Sequence, residues 1–175
     1  MNPPNNLETA TLGAGCYWCI EAAYRQLDGV FSVISGFMGG QVDNPTYEQV
    51  CSGNSGHAEV VQIVFDPSKI TYQEILAWFW ELHDPTTLNR QGNDIGTQYR
   101  SSIFYHSEEQ KSVAELSKDA AKAAFDKSIV TEITAASVFY PAMDEHQNYY
   151  FQNKSKNPYC RIVIEPKLIK LKLGH

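Results

Sequence analysis

Hydrophobic and polar positions repeat with two periods along this chain, and the switches between them mark out its elements. A strand is expected before Gly13, followed by a helix from about Cys16 to Leu27. In that helix Ile20, Ala23, Tyr24 and Leu27 recur at i, i+3, i+4 and i+7. Val30 to Met38 is rich in β-branched and aromatic residues and stops at Gly39-Gly40, which reads as a strand and a turn. Asn44 to His57 reads as a polar loop, and Ala58 to Phe65 as a second strand closed by Asp66-Pro67. Thr71 and Glu74 have capping-box spacing, with Ile75, Leu76, Phe79 and Leu82 as one helical face ending near Asp84-Pro85. A long loop, Thr86 to Arg100, follows, then a short strand from Ile103 to Tyr105. Ser107 and Gln110 cap a longer helix whose expected core face is Val113, Leu116, Ala120 and Ala124. Ile133 to Tyr140 reads as another strand, Asp144 to Gln152 as a short helix, and the chain from Tyr159 as an extended tail with Lys167, Lys170 and Lys172. Mixed β and α segments with local hairpins fit an α+β fold better than a doubly wound parallel sheet.

Composition narrows the classes. The 175 residues, 43% hydrophobic, can fill one core, and neither a linker nor an internal repeat divides them. One domain over 1–175 is therefore expected, with 157–175 as its extended tail. With 14 Lys+Arg against 20 Asp+Glu the net charge is −6, which argues against a nucleic-acid binder. The longest apolar run, Ile75 to Trp80, is far below the roughly 20 residues that span a bilayer, so no membrane association is expected. The start shows no basic cluster followed by an apolar stretch, so the cytoplasm is the default compartment, and a monomer is expected.

Four cysteines, Cys16, Cys19, Cys51 and Cys160, need not form a disulfide framework in a reducing compartment. Gly13-Ala14-Gly15-Cys16-Tyr17-Trp18-Cys19 lies where a strand gives way to a helix. There Cys16 meets unpaired N–H groups and the positive end of the helix dipole, which favour a thiolate. Cys19 falls in the first turn on the same side. This is the physics of a C-x-x-C redox site, although two buried cysteines filling space would share the spacing. Zinc fits less well, since Cys51 and Cys160 stand apart and metal sites of this kind pair two knuckles. Two large aromatics beside the nucleophile are not needed for disulfide exchange. They are needed where a small apolar group must be held against the sulfur.

Gly15-Cys16-Tyr17-Trp18 resembles the Gly-Cys-Phe-Trp signature of the A-type peptide methionine sulfoxide reductases. Two further blocks match that family in the same order: Asn44-Pro45-Thr46-Tyr47 through Gly56-His57-Ala58-Glu59, and Gln91-Gly92-Asn93-Asp94 through Gly96-Thr97-Gln98-Tyr99-Arg100-Ser101. Looser matches follow at His146-Gln147 and Asn157-Pro158-Tyr159-Cys160, so the resemblance covers most of residues 9 to 160. The expected architecture is a ferredoxin-like two-layer sandwich with a mostly antiparallel or mixed sheet. The resemblance implies reduction of methionine-S-sulfoxide, free or in proteins, through a sulfenic acid on Cys16 and an intramolecular disulfide that thioredoxin reopens. It implies no metal and no cofactor beyond that reductant.

Glu59 is the candidate acid. In the strand it shares parity with Val61, Ile63 and Phe65, and if that face is buried its pKa rises toward neutrality. If Val60 and Val64 mark the buried face instead, Glu59 is an ordinary exposed residue. The resemblance assigns Tyr47 and Tyr99 as hydrogen-bond donors to the sulfoxide oxygen, Asp94 as a residue ordering the substrate pocket, and Tyr17 and Trp18 as the wall for the substrate methyl group. His57 is expected to fix its loop, His83, His106 and His175 to be structural or exposed, and His146-Gln147 to act indirectly at most. Two departures bear on recycling. Cys19 stands where many members carry Gly, and the tail lacks the Gly-rich stretch with a further cysteine found in three-cysteine members. Cys160 is the expected resolving thiol, with Cys19 as relay or substitute, and Cys51 is incidental. A thioredoxin-like C-x-x-C oxidoreductase and a redox or zinc-binding module remain as alternatives.

Overall fold

The structure is a computed structural model and describes residues 6–153 and 155. Strand β1 (Glu8–Ala14) leads into helix α1 (Tyr17–Tyr24), which returns through β2 (Val30–Met38). A short helix α2 (Tyr47–Cys51) precedes β3 (Ala58–Phe65) and helix α3 (Tyr72–Leu82). A two-stranded hairpin, β4 (Arg90–Gln91) and β5 (Asp94–Ile95), and a 3-10 turn at Thr97–Tyr99 come before β6 (Ser101–Tyr105). Helix α4 (Glu108–Ala121), strands β7 (Glu132–Ala135) and β8 (Tyr140–Pro141), a 3-10 turn at Asp144–His146 and helix α5 (Tyr149–Asn153) complete the order.

The main sheet runs β7-β6-β1-β3-β2-β8. Its centre is a βαββαβ unit, β1-α1-β2-β3-α3-β6, in which β3 lies antiparallel between β1 and β2 and β6 adds antiparallel to β1. That is the ferredoxin-like, two-layer α+β arrangement. The parallel β6·β7 pair makes the sheet mixed. Leu12, Val33, Ile63, Phe65 and Ile103 of the sheet pack with Ile20 and Tyr24 of α1 and Ile75, Leu76 and Phe79 of α3. A second, smaller cluster, Met38, Ala58, Val60 and Phe104, is covered by Ala136 and Phe139. The tail beyond residue 155, with Cys160 and the three lysines, lies outside the described residues. Among the described residues no helix is long and apolar enough to cross a membrane.

Four expectations change. The predicted loop at Asn44–His57 contains α2, because Thr46 and Gln49 form a complete capping box on a five-residue segment too short for periodicity to reveal. The loop at Thr86–Arg100 contains the β4–β5 hairpin, turned at Gly92 with φ of 58°. Ile133–Tyr140 is not one strand. β7 ends at Ala135 on one edge, the chain crosses the second face with Ala136 and Phe139 covering it, and β8 pairs with β2 on the far edge. The α4 face is rotated: Gln110 and Ala114 are its buried residues, Val113 is partly buried, and Leu116 is 70% exposed. Ala120 and Ala124 are also exposed. Gln110 sets this rotation by donating to the Thr9 carbonyl at 2.8 Å and accepting the His106 N–H at 2.9 Å.

Candidate active site

Cys16 stands between β1 and α1. Gly15 before it has φ of 90°, a left-handed conformation that favours glycine, and a Cβ there would come within 2.7 Å of the Gln91 side chain. Cys16 occupies the helix N-cap. The Trp18 N–H hydrogen-bonds the Cys16 sulfur, and the Tyr17 N–H donates to Glu59 Oε1 at 3.2 Å. The helix N-terminus thus gives one donor to the thiol and one to the carboxyl. Cys16 and Cys19 are both buried, neither is in a disulfide, and their sulfurs lie within hydrogen-bond reach.

The expected thiolate does not follow from this setting. Burial, the Cys19 thiol and the nearby Glu59 charge push the Cys16 pKa well above the usual thiol value, outweighing the Trp18 N–H. Desolvation beats the helix terminus here, so the resting group is a protonated thiol.

Glu59 is the second residue of β3, and its strand mates Val61, Ile63 and Phe65 are all fully buried. Its face is therefore the core face. The carboxyl is 1% exposed, and Oε2 has no partner among the described residues. Burial pushes its pKa up to about 8. The Tyr17 N–H opposes that rise, and the Asp94 and Cys19 charges add to it. At neutral pH it is a carboxylic acid, with its unpartnered oxygen a ready donor.

Tyr47 and Tyr99 reach this group from separate loops. Tyr47 opens α2, and Tyr99 ends the turn that starts from Gly96. Burial first raises both phenols, followed for Tyr47 by its hydrogen bond with the Cys51 thiol, and the Glu59 charge adds to both, which keeps them neutral donors. The two loops are tied together where Gln98 Nε2 donates to the Cys51 carbonyl at 3.2 Å and Thr97 Oγ1 to the Gly53 carbonyl at 3.3 Å. His57 is buried and anchors the preceding loop, its Nδ1 accepting the Gly40 N–H at 3.0 Å and its Nε2 bonded to the Val42 carbonyl at 2.7 Å. Asp94, on β5, is close enough for its charge to act on Glu59 and Tyr99. Of the other histidines, His83 is buried between the Phe79 carbonyl and Ser101 Oγ, and His106 bonds Thr11 at 2.8 Å.

Tyr17 and Trp18 are packed from the far end of the chain. Trp18 stacks on Tyr149 with ring centroids 3.8 Å apart and planes 10° from parallel. Tyr17 is fully buried, and its hydroxyl shares a 2.7 Å hydrogen bond with His146 Nδ1. His146 also sits edge-on to Trp18 at 5.5 Å and to Tyr47 at 4.4 Å. Burial lowers its pKa, so the ring is neutral at pH 7.

The structure thus gathers Cys16, Cys19, Glu59, Tyr47, Tyr99, Asp94, Tyr17 and Trp18 around one end of β3. Three residues join them that sequence reasoning set aside or missed. His146 contacts the aromatic rings directly, Tyr149 completes the Trp18 stack, and Cys51 lies at the edge with its sulfur in hydrogen-bond reach of the Tyr47 hydroxyl. Cys51 has a detectable cue, since it follows Tyr47 by four residues, one helical turn. Tyr149 has none, because its contact depends on a sequence separation no local pattern records. Cys160 lies outside the described residues. Among the described residues no group of three or more His, Cys, Asp or Glu is placed to hold a metal ion.

A neutral acid and a soft nucleophile meeting beside aromatic rings can attack a weakly basic oxide and protonate the oxygen it loses. The family model described as peptide methionine sulfoxide reductase matches residues 8–174 of the chain. The chain is 57% identical over 164 residues to the peptide methionine sulfoxide reductase MsrA of Saccharolobus solfataricus, covering 94% of this chain and 92% of that protein. It is similar in structure to Mxr1 from Saccharomyces cerevisiae in reduced form, with a TM-score of 0.84, 33% identity, and coverage of 90% of this chain and 91% of that one. It is also similar to Mxr1 in complex with Trx2, with a TM-score of 0.61, 26% identity, and coverage of 85% and 88%.

Proposed function

The chain belongs to the peptide methionine sulfoxide reductase family, and from that membership we infer that it reduces methionine-S-sulfoxide, free or in proteins, to methionine with electrons from thioredoxin. The observation that carries the reading into chemistry is Glu59, a buried carboxylic acid whose Oε2 is unpartnered at the mouth of the Cys16 turn.

The sulfoxide oxygen accepts hydrogen bonds from Glu59 Oε2 and from the Tyr47 and Tyr99 hydroxyls, all neutral donors at pH 7. Its methyl group rests against Tyr17 and Trp18, and Asp94 orders the polar end of the substrate. Cys16 Sγ attacks the sulfoxide sulfur while Glu59 gives its proton to the oxygen and recovers one from the Cys16 thiol. The protonated oxygen leaves as hydroxide from the S–S-bonded adduct and adds to Cys16 Sγ; the S–S bond then breaks, its electron pair departing with methionine as the thioether, and Cys16 is left as a sulfenic acid. A second thiol then attacks the sulfenic sulfur, water leaves, and a disulfide forms for the thioredoxin dithiol to reduce. Cys160 is assigned as that second thiol, with Cys19 as relay or substitute because it already touches Cys16.

The raised pKa of Cys16 suits this order of events. A resting thiolate would invite stray oxidation, whereas here the proton is released to Glu59 only as the oxide takes one up. The reaction needs no cofactor besides thioredoxin, and the cytoplasm, where thiols stay reduced, is assigned as its compartment.

The test is a single turnover. Reduced protein mixed with excess methionine-S-sulfoxide and no reductant should release about one methionine per chain and consume the Cys16 thiol. Cys16→Ser should release none. Equal methionine from Cys16→Ser would overturn the assignment of the nucleophile.

A further inference from the structure

Glu21 lies on α1, four residues past Tyr17 and three past Trp18, and is 1% exposed. A carboxylate persists at such burial only where donors saturate it. Three do. Arg25 Nε donates to Oε2 at 2.7 Å, Ser35 Oγ to Oε1 at 2.8 Å, and the Asn148 backbone N–H to Oε2 at 2.5 Å. They come from the C-cap of α1, from β2 and from the segment before α5. Asn148 stands at φ of 53°, a left-handed conformation that Asn tolerates. Its neighbour Gln147 ties the same segment to the sheet: Oε1 accepts the Ser35 N–H at 2.9 Å, while Nε2 donates to the Ser35 and Ala142 carbonyls at 2.8 and 2.9 Å.

The residues flanking this tether, His146 and Tyr149, are the two that pack on Tyr17 and Trp18. Between 143 and 153 the segment has only a 3-10 turn and a five-residue helix, too little regular structure to fix its own position. The carboxylate that grips the segment and the rings it covers stand on one helix, one turn apart. We propose that Glu21 is a positioning residue of the active site, holding the 143–153 segment so that His146 and Tyr149 lock the rings of Tyr17 and Trp18 into the wall that receives the substrate methyl group. This rests on the reductase reading above. The reaction does not otherwise use Glu21, which touches no reacting atom.

Glu21→Leu removes the grip, Glu21→Gln keeps its shape and one oxygen acceptor, and Gln147→Leu cuts the companion tether without touching α1. Two readouts are taken on the full chain. One is single-turnover kinetics on methionine-S-sulfoxide, which separates the half-saturating concentration from the rate at saturation. The other is near-ultraviolet circular dichroism without substrate, with Tyr149→Leu defining loss of the Trp18 stack. Glu21→Leu and Gln147→Leu should raise the half-saturating concentration about tenfold, change the rate at saturation by less than about threefold, and lose the stack signal. Glu21→Gln should restore both toward the parent protein. An unchanged half-saturating concentration with an unchanged stack signal would overturn the proposal, as would a loss of rate alone. Should Glu21→Leu fail to fold, Gln147→Leu gives the decision by itself. Failure of the reductase reading shows separately, as a parent protein that converts no sulfoxide; the dichroism then still decides whether Glu21 holds the segment.

Discussion

Glu59 draws its chemistry from a conflict between burial, which favours the neutral carboxylic acid, and one donated N–H, which favours the carboxylate. Burial wins, and the pKa near 8 gives two testable consequences. First, an acid step through Glu59 needs its protonated form, so the single-turnover rate should hold below pH 7 and fall as pH rises through about 8. Glu59→Gln should lower that rate about 100-fold or more with little change in half-saturating sulfoxide, and a rate equal to the parent's from pH 5 to 8 would remove the acid role. Second, an unfolded Glu loses its proton near 4.5 while the folded one keeps it to about 8, so folding takes up a proton between those values. Stability should fall with rising pH across that window, by at most on the order of 1.4 kcal/mol per unit, and chemical denaturation of Glu59→Gln should show a flatter profile. Part of this residue was legible from strand parity, which put Glu59 in step with Val61, Ile63 and Phe65. Which face is buried was not legible, because Val60 on the other face is fully buried too.

Elements were readable where periodicity and breakers agree. β2 and β3 end where Gly39-Gly40 and Asp66-Pro67 say they should, and α3 starts at the Thr71 capping box. Reading failed where tertiary contacts override a weak local signal. In α4 the hydrophobic spacing points to Leu116, yet the helix turns on its axis because Gln110 hydrogen-bonds β1 and small Ala114 allows close approach of the helix to the sheet. The difference can be measured by thermal unfolding. Leu116→Lys should leave stability within about 0.5 kcal/mol, as for an ordinary surface change, whereas Ala114→Leu should cost about 1–3 kcal/mol from overpacking. The reverse ranking would restore the sequence-based face. α2 escaped notice for a different reason: five residues are too few to show a period, and only the Thr46 and Gln49 cap betrays it.

Across the whole molecule, the site is assembled from distant stretches: the β1–α1 turn, the start of β3, α2, the turn before β6, and the segment before α5. Short motifs near Cys16, Glu59, Tyr47 and Tyr99 made those stretches visible in the sequence. His146 was read as acting indirectly at most and Tyr149 stayed hidden, since a histidine and a tyrosine on a polar segment acquire their contacts only when the fold lays them on Tyr17 and Trp18. Recycling is also a property of the whole chain. Cys160→Ser should permit one round of methionine formation and then slow turnover with thioredoxin more than with a small dithiol; a Cys16–Cys19 disulfide with Cys160 still reduced in the parent protein, mapped after one sulfoxide pulse, would transfer the resolving role to Cys19. The reductase assignment faces its sharpest test when the two methionine sulfoxide epimers are supplied separately to the reduced protein with a small dithiol. Steady consumption of the S epimer and none of the R epimer is expected. Folded protein with reduced thiols that converts neither epimer, or both alike, would contradict it.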